Sequence, residues 1–328
     1  MHQDINKTFT EKINRCLETY DFGQQPSELY DPIHYILSLG GKRLRPLLVL
    51  LAYQLFRDEE PGDEVIIPAA AVEVFHNFTL MHDDIMDRAP LRRSQPTVHT
   101  RWSANVAILS GDVMLVRAYE MILNVRSEYL SSALKGLNRC AAEVCEGQQW
   151  DMNYESVDKV SEEEYLAMIR QKTAVLLGFS LQLGGLLAGA DKPNQKRLYE
   201  FGEKIGVGFQ LMDDWLDVYA DQGKFGKQVG GDIIANKKTF LLIKALEQAR
   251  SDDADTLQYW INREEFDHKE KVEAVKEIYR KLSISEQTQR IMNSYFESGL
   301  AALSTLPVEE SRKSVLRNYT NQLMKREK

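Results

Sequence analysis

Apolar residues recur along the chain at the three- to four-residue spacing of helices that bury one face. Strand-like alternation bounded by hairpin turns is absent from the sequence. Prolines and capping residues near the starts of the periodic segments support a succession of helices. These are predicted over residues 4–20, 28–39, 44–57, 68–87, 104–125, 131–150, 162–189, 191–219, 237–250, 264–281, 286–303 and 308–325.

The same pattern predicts an all-α fold in one large domain. A length of 328 residues would by itself suggest two domains. However, we find no shift in composition, no long Pro/Gly/Ser linker and no block of like charge that would mark a boundary. A hydrophobic fraction of 43% is ample for a large core. We therefore expect a single helical domain over residues 1–328.

Charge narrows the kind of ligand. The net charge of −8 argues against a general nucleic-acid surface. The basic residues are nevertheless clustered along the sequence, which suits a small anionic ligand. Each cluster alone could be ordinary solvated surface. The clusters are Lys42, Arg43 and Arg45; Arg88, Arg92 and Arg93; and Lys224, Lys227, Lys237 and Lys238.

Cysteine usage and hydropathy bear on the location of the protein. The three cysteines form no disulfide framework and no metal-ligand spacing, so a reducing cytoplasm is the expected location. The N-terminal residues lack an apolar stretch. The most apolar run, residues 174–190, is too short and too interrupted by glycine and polar residues to span a bilayer. We expect no stable membrane insertion.

Two predicted helices end in the pattern Asp-Asp-x-x-Asp, and each leads into a loop rich in Arg or Lys. On a helix, Asp83 and Asp87 project from one face, as do Asp213 and Asp217. The carboxylates of each pair repel one another at the helix end where the macrodipole also disfavours anions. One such cluster could be an exposed acidic helix end. Two with the same surroundings indicate a functional site.

The ligand chemistry of the clusters favours a hard divalent cation. All the candidate ligands are carboxylate oxygens, which suit Mg²⁺, Ca²⁺ or Mn²⁺ better than Zn²⁺. Mg²⁺ usually takes one or two carboxylates and completes its coordination with water and phosphate oxygens. Nearby Arg and Lys would bind the remaining phosphate oxygens. The sequence thus predicts a Mg²⁺–diphosphate site between two helices.

Short motifs in a fixed order extend this prediction. They are GGKRLRP (40–46), HDDIMD (82–87), LRR (91–93), PTVH (96–99), QKTA (171–174), FQLMDDWLD (209–217), FGKQVGGD (225–232) and NKKT (236–239). With them the chain resembles the short-chain trans-isoprenyl diphosphate synthases, which include the farnesyl and geranylgeranyl diphosphate synthases. The resemblance implies a large helical bundle around a central cavity, the isoprenoid synthase type I fold. Ser94 departs from the family, in which glycine is frequent at this position.

The resemblance also implies roles for individual residues. Asp83 and Asp87 would be ligands of two Mg²⁺ ions and Asp213 the main ligand of a third, while Asp84, Asp214 and Asp217 would orient waters or outer ligands. The allylic diphosphate would be held by Arg92, Lys172, Lys227 and Lys237. Isopentenyl diphosphate would be held by Lys42, Arg45, His76 and Arg93. Lys172, Thr173 and Gln210 would be the catalytic residues, with Thr173 and Gln210 facing the reacting carbons.

The implied reaction joins isopentenyl diphosphate to an allylic diphosphate, in a homodimeric enzyme. In the family, bulky residues four or five positions before the first cluster shorten the product. Phe78 lies five positions before Asp83, and Thr79 lies four before it. One aromatic residue here favours the twenty-carbon geranylgeranyl diphosphate over the fifteen-carbon farnesyl diphosphate, and a farnesyl or longer-chain polyprenyl diphosphate synthase stays the alternative. A helical wheel places Thr79 and Phe75 nearer the aspartate stripe than Phe78.

Three rival interpretations remain open at this point. A His/Asp phosphohydrolase would use His76, His82 and Asp83 but leaves the second aspartate cluster unexplained. A terpene cyclase shares the first cluster but usually carries an Asn/Ser/Glu pattern in place of the second. A regulatory subunit of a heteromeric synthase often lacks one cluster, whereas both are intact here.

Overall fold

Helices make up nearly all of the regular structure in the computed structural model, which describes residues 2–220 and 230–324 and, for residues 2–4, the backbone only. In order they are α1 (His2–Thr19), α2 (Ser27–Ser38), α3 (Leu44–Gln54), α4 (Asp63–Met86), α5 (Val98–Arg101), α6 (Ala104–Ile122), α7 (Ser127–Glu155), α8 (Glu162–Ile169), α9 (Val175–Leu187), α10 (Lys192–Tyr219), α11 (Gly231–Ile234), α12 (Phe240–Gln248), α13 (Ser251–Asn262), α14 (His268–Lys281), α15 (Ile284–Ser304) and α16 (Glu310–Met324). A π-helical turn, Arg170–Ala174, separates α8 from α9. The predicted all-α class is confirmed.

The chain divides into two units. The first contains Met1–Arg139, Phe179–Tyr199 and Pro307–Leu316, and the second contains Cys140–Gly178, Glu200–Leu306 and Arg317–Lys328. The first aspartate cluster belongs to the first unit and the second cluster to the second. A single domain over the whole chain stays a prediction.

Helix α4 lies at the centre of the first unit, where it packs against α1, α3 and α6. It begins at Asp63, so the predicted start near Pro68 is wrong. Acidic residues in the first turn favour a helix N-terminus, and Val65 is buried in the core. These contributions extend the helix ahead of Pro68, whose missing N–H breaks only one backbone hydrogen bond.

By length and composition alone, α4 could span a membrane. Its most apolar window is 67% buried inside the protein, as expected for the core helix of a folded domain. The apolar character of α4 is therefore accounted for by packing within the first unit.

A short hairpin, which the sequence pattern failed to predict, follows α4. Strand β1 (Leu91–Arg92) pairs antiparallel with β2 (Gln95–Pro96), and Arg93 and Ser94 form the turn. Both turn residues have left-handed backbones, with φ of 52° and 61°. Such a turn suits the twist of paired strands but usually uses Asn-Gly. Two-residue strands carry too little alternation to be recognised in a sequence.

The second unit has an apolar core built from α10 to α15, with Val218, Leu241, Leu257, Tyr279 and Ile284 among its buried members. Helix α10 begins at Lys192, where the Asp191 carboxylate accepts a hydrogen bond from the Asn194 N–H at 2.9 Å, as the predicted cap requires. Helix α13 was missed because Leu257 and Trp260 are its only buried residues, too few for a clear period.

Candidate active site

The first aspartate cluster occupies the last turn of α4 and its C-terminal cap. Asp83 is partly exposed and Asp87 is exposed, whereas Asp84 is only 2% exposed. Because consecutive helical residues point about 100° apart, Asp84 faces the protein when Asp83 faces outward. The cluster therefore presents two accessible carboxylates and one buried carboxylate.

Arg92, on the hairpin after α4, holds the buried carboxylate of Asp84. Its Nε and Nη2 donate to the two Asp84 oxygens at 2.8 and 2.7 Å. The same Nη2 lies 3.7 Å from an Asp83 oxygen. Burial raises the pKa of Asp84 despite the guanidinium. Arg92 thus connects the hairpin to the aspartate cluster. Both oxygens of Asp84 are hydrogen-bonded to Arg92, so Asp84 binds this guanidinium rather than a metal.

The basic motif at residues 40–46 separates into exposed and buried members. Arg43 is buried, with ion pairing to Glu73 at 2.9 Å and hydrogen bonds to Asn14 and to the Leu37 carbonyl. Lys42 is exposed. Arg43, which the sequence grouped with its basic neighbours, therefore fixes the fold of this segment.

Arg45 reaches from α3 to α4, where its Nη1 lies 3.0 Å from Nε2 of His76. A guanidinium can only donate, so His76 Nε2 is the acceptor and the ring proton sits on Nδ1. Burial, together with the charge of Arg45 and of neighbouring arginines, holds the pKa of His76 well below its usual range. His76 is therefore neutral near pH 7.

Arg93 and Gly41 lie against each other within the first unit. A Cβ on Gly41 would meet the Arg93 guanidinium nitrogens at 2.7 Å, and Gly41 has φ +127°. Glycine at this position therefore allows Arg93 to approach the segment that carries Lys42. Of the predicted diphosphate-binding residues, the structure thus brings Arg45 into contact with His76 and places Arg93 against Gly41, the neighbour of Lys42.

The second cluster has the same exposure pattern as the first. Asp213 is exposed, Asp217 is partly exposed and Asp214 is buried near the end of α10. The Tyr165 hydroxyl donates to one Asp214 oxygen, and Gln210 Nε2 donates to the other at 3.1 Å. Burial raises the pKa of Asp214 to about 6 against these hydrogen bonds.

Asp217 is held by the segment that begins at Gly230. The Asp232 N–H donates to an Asp217 carboxylate oxygen at 2.9 Å, and the Gly230 N–H donates to the Asp217 carbonyl at 2.7 Å. Burial and the neighbouring Asp214 raise the pKa of Asp232 to about 7. Two carboxyl groups in the second unit therefore bind protons more tightly than usual.

The π-helical turn carries two of the three predicted catalytic residues, Lys172 and Thr173, and α10 carries the third, Gln210. Lys172 Nζ donates to Asp151 at 2.6 Å, and Thr173 Oγ1 donates to Gln210 Oε1 at 3.1 Å. A Cβ on Gly147 would meet the Lys172 backbone nitrogen at 2.3 Å, so glycine allows α7 to pack directly on this turn. Single π turns often occur at functional sites. One chain of contacts joins Thr173, Gln210 and Asp214.

Two predicted substrate lysines remain. Lys237 is exposed in the segment between α11 and α12. Lys227 lies outside the described residues. Lys237 follows Asp232 closely, and its N–H donates to the Asp232 carbonyl at 2.9 Å.

The residues present fit a Mg²⁺-type cation in each cluster. Asp83, Asp87 and Asp213 offer accessible hard oxygens, while the middle aspartates are already hydrogen-bonded. Among the described residues, no group of three or more His, Cys, Asp or Glu is arranged to hold an ion alone. Such a sparse set suits Mg²⁺, which leaves most positions to water and phosphate.

Sequence reasoning missed Tyr165 and Asp151. Asp151 lies four residues beyond Gly147 in the run EGQQWDM, where a carboxylate on a packed helix could have drawn notice. Tyr165 gives no local signal, because its partner Asp214 is 49 residues away in the chain.

Comparison with known proteins agrees with these features. The polyprenyl synthetase family model matches residues 26–281. A short chain isoprenyl diphosphate synthase from Methanocaldococcus jannaschii is 41% identical over 249 residues, or 76% of this chain and 75% of the relative. A geranylgeranyl pyrophosphate synthase from Geoglobus acetivorans is 41% identical over 248 residues, or 75% and 76%. A crystal structure of a geranylgeranyl pyrophosphate synthase superposes with a TM-score of 0.91 at 42% identity, covering 99% of this chain and 98% of that one.

Proposed function

Because this chain belongs to the polyprenyl synthetase family and is a trans-prenyltransferase, we propose that it makes geranylgeranyl diphosphate. The substrates are isopentenyl diphosphate and an allylic diphosphate: dimethylallyl, geranyl or farnesyl. The product assignment is supported by relatives that are named geranylgeranyl diphosphate synthases and are 41 and 42% identical to this chain. The site observation that carries the proposal is the repeated cluster of two accessible aspartates around one anchored aspartate.

Asp83, Asp87 and Asp213 are proposed to hold three Mg²⁺ ions with the allylic diphosphate. When bound, Mg²⁺ neutralises the diphosphate and stabilises the charge that gathers on it as it leaves. Arg92 would add a positive charge for the same diphosphate, since its guanidinium already lies beside both Asp83 and Asp84. Lys172, Lys227 and Lys237 complete the cationic set for this diphosphate.

Isopentenyl diphosphate is proposed to bind at Lys42, Arg45, His76 and Arg93. A neutral His76 has its Nδ1–H available to donate, while its Nε2 orients Arg45. Its neutrality avoids a further cation beside Arg45 and the neighbouring arginines. The four side chains would neutralise the second substrate and place its double bond against the allylic carbon.

Formation of the carbon–carbon bond requires the two substrates to be positioned rather than attacked by a nucleophilic side chain. Breaking the allylic C–O bond leaves a carbocation, the isopentenyl double bond attacks it, and a proton then leaves to the departed diphosphate. Thr173 and Gln210 are proposed to face the reacting carbons. Their mutual hydrogen bond and the Gln210–Asp214 contact would keep both amide and hydroxyl dipoles fixed.

Product length is proposed to depend on Phe78. Its ring packs against His82 at 4.9 Å and Phe75 at 5.7 Å between centroids, and it is 9% exposed. Thr79 on the same helix is more exposed. The three rings meet in tilted and edge-on contacts along α4 and would form the floor of the hydrocarbon site, so removing the middle ring would deepen that site.

Radiolabelled isopentenyl diphosphate offered with each allylic starter, followed by chain-length analysis, tests the proposal. We expect a twenty-carbon product from the wild type and longer products from Phe78→Ala. An unchanged product spectrum in Phe78→Ala would remove Phe78 as the floor. Hydrocarbon released from geranylgeranyl diphosphate alone would instead indicate a cyclase.

A homodimer is proposed through the outer face of α6. Leu109 and Val116 lie seven residues apart on α6, and Leu123 continues the spacing directly after it, with exposures of 58, 56 and 57%. A row of large exposed apolar side chains is typical of an interface. Val116→Arg should yield monomers by analytical ultracentrifugation, whereas Asp255→Arg, at an exposed site on α13, should not. A dimeric Val116→Arg would contradict this interface.

The proposed location is the cytoplasm. The structure describes all three cysteines, Cys16, Cys140 and Cys145, and none of them forms a disulfide. Cysteines outside disulfides suit a reducing compartment.

A further inference from the structure

Lys271 is a buried lysine that the proposed chemistry does not use. It lies on α14 with only 1% of its surface exposed. Its Nζ donates to the Ile234 carbonyl at 3.1 Å and to Asn236 Oδ1 at 2.7 Å, and it lies 4.2 Å from the centre of the Phe266 ring. These partners are uncharged. Among the described residues Lys271 has no carboxylate partner, and a buried ammonium without one is costly, so its presence calls for a reason.

Both hydrogen-bond acceptors of Lys271 belong to the segment 230–239. Asn236 has a left-handed backbone with φ 53°, and its Nδ2 also donates to the Ile261 carbonyl at 3.0 Å. Asn236 is thus fixed from two sides, by α14 and by α13. Lys237, the proposed diphosphate ligand, is the next residue.

The other end of the segment contacts the second aspartate cluster. The Gly230 and Asp232 N–H groups donate to Asp217. A Cβ on Gly230 would meet Val272, the neighbour of Lys271, at 2.8 Å. Helix α14 therefore supports both ends of a segment that carries Lys237 and holds Asp217.

We propose that Lys271 is a positioning residue for the diphosphate site, resting on the function proposed above. Its three donor hydrogens let one side chain fix the Ile234 carbonyl and the Asn236 amide together. These two hydrogen bonds fix the direction in which the Lys237 side chain extends from the segment. They also fix the position of the Asp232 N–H that donates to Asp217. Side chains behind a ligand set commonly affect binding by about ten- to a hundredfold.

Lys271→Met tests the proposal, because Met keeps the length of the side chain and suits an apolar site. We expect calorimetry to show that the Kd for inorganic pyrophosphate with Mg²⁺ rises about tenfold or more. The KM for the allylic substrate should rise more than kcat falls. Amide hydrogen exchange at Asp232 and Lys237 should be faster, while the Tm stays unchanged or increases. A purely structural lysine would lower the Tm and leave pyrophosphate binding intact.

Lys269→Met is the matched control, because Lys269 is exposed on the same helix. It should match the wild type in every measurement. Asn236→Gly is the second variant, since glycine tolerates the left-handed backbone and removes the Lys271 acceptor. It should reproduce the Lys271→Met effects, and the double variant should add little to either.

The positioning role would be overturned if Lys271→Met and Asn236→Gly both bind pyrophosphate as tightly as the wild type and keep normal amide protection. If Lys271→Met does not fold, Asn236→Gly decides. If the wild type does not bind pyrophosphate with Mg²⁺, the proposed function fails. Amide exchange in the variants would still decide whether Lys271 orders the segment.

Discussion

The two aspartate clusters share a sequence pattern but are anchored differently. In each, the middle aspartate is buried and hydrogen-bonded, and the outer ones are accessible. In the first unit the anchor is Arg92, a permanent charge on a hairpin. In the second unit the anchors are Tyr165 and Gln210, both neutral.

This difference shows that a motif specifies which carboxylate is buried but not what compensates for its burial. In both clusters burial raises the pKa of the middle aspartate, whichever anchor is used. A neutral anchor loses little interaction free energy when the carboxyl group that it binds is protonated.

Removing an accessible aspartate should have the largest effect in either cluster. Asp83→Ala and Asp213→Ala should each lower turnover by about a hundredfold or more, because each removes a ligand for the charge on the leaving diphosphate. Steady-state rates with labelled isopentenyl diphosphate measure this, and circular dichroism checks that the helices are retained. Near-normal turnover in either variant would refute the metal assignment for that cluster.

Removing the anchors should affect the two clusters unequally. Arg92→Met leaves the Asp84 carboxylate buried without its counter-ion, at a cost of about 2 kcal/mol in the free energy of unfolding. Tyr165→Phe removes one hydrogen bond and should cost about 1 kcal/mol, since Gln210 remains. Urea denaturation near pH 7 compares them. Equal losses would mean that the charge of Arg92 contributes nothing beyond a neutral donor.

The pH dependence of stability should have opposite signs in the two units. His76 has a lowered pKa, so the unfolded chain takes up a proton first. Stability then falls as the pH drops through about 6.5, the ordinary pKa of histidine. Asp214 has a pKa raised to about 6, so its contribution is present below about pH 3.8 and is lost as the pH rises through 6.

Two variants separate these contributions. The free energy of unfolding of His76→Gln, relative to the wild type, should increase as the pH falls below 6.5. That of Asp214→Asn should increase as the pH rises from 4 to 7. Urea titrations at several pH values measure both, and parallel curves for wild type and variant would exclude the corresponding group.

The turns that support the clusters should respond in opposite directions. Ser94 adopts φ 61° without being glycine, whereas Gly230 supplies φ 86° beside the second cluster. Ser94→Gly should stabilise the protein by about 1 kcal/mol, and Gly230→Ala should destabilise it by at least that much. Thermal unfolding measures both. A destabilised Ser94→Gly would show that the serine side chain has a role of its own in the hairpin.

Long, strongly periodic helices were predictable, and short or weakly amphipathic elements were not. The pattern indicated α10 to within a residue at its start, since Asp191 is a local cap. It missed α13, which buries little, and the hairpin at 91–96, whose strands have two residues each. It also read residues 162–189 as one helix, because a π turn changes the backbone register without changing composition.

The all-α class, the family and the shared face of the outer aspartates in each cluster follow from the sequence, because helical periodicity and motif spacing are local properties. The burial of Arg43 beside an exposed Lys42, and the anchoring of the middle aspartates by Arg92 and Tyr165, follow from the packing of the folded chain. Those assignments depend on side chains that come from distant parts of the chain. A local pattern cannot distinguish a solvated charge from one that folding has buried against a partner.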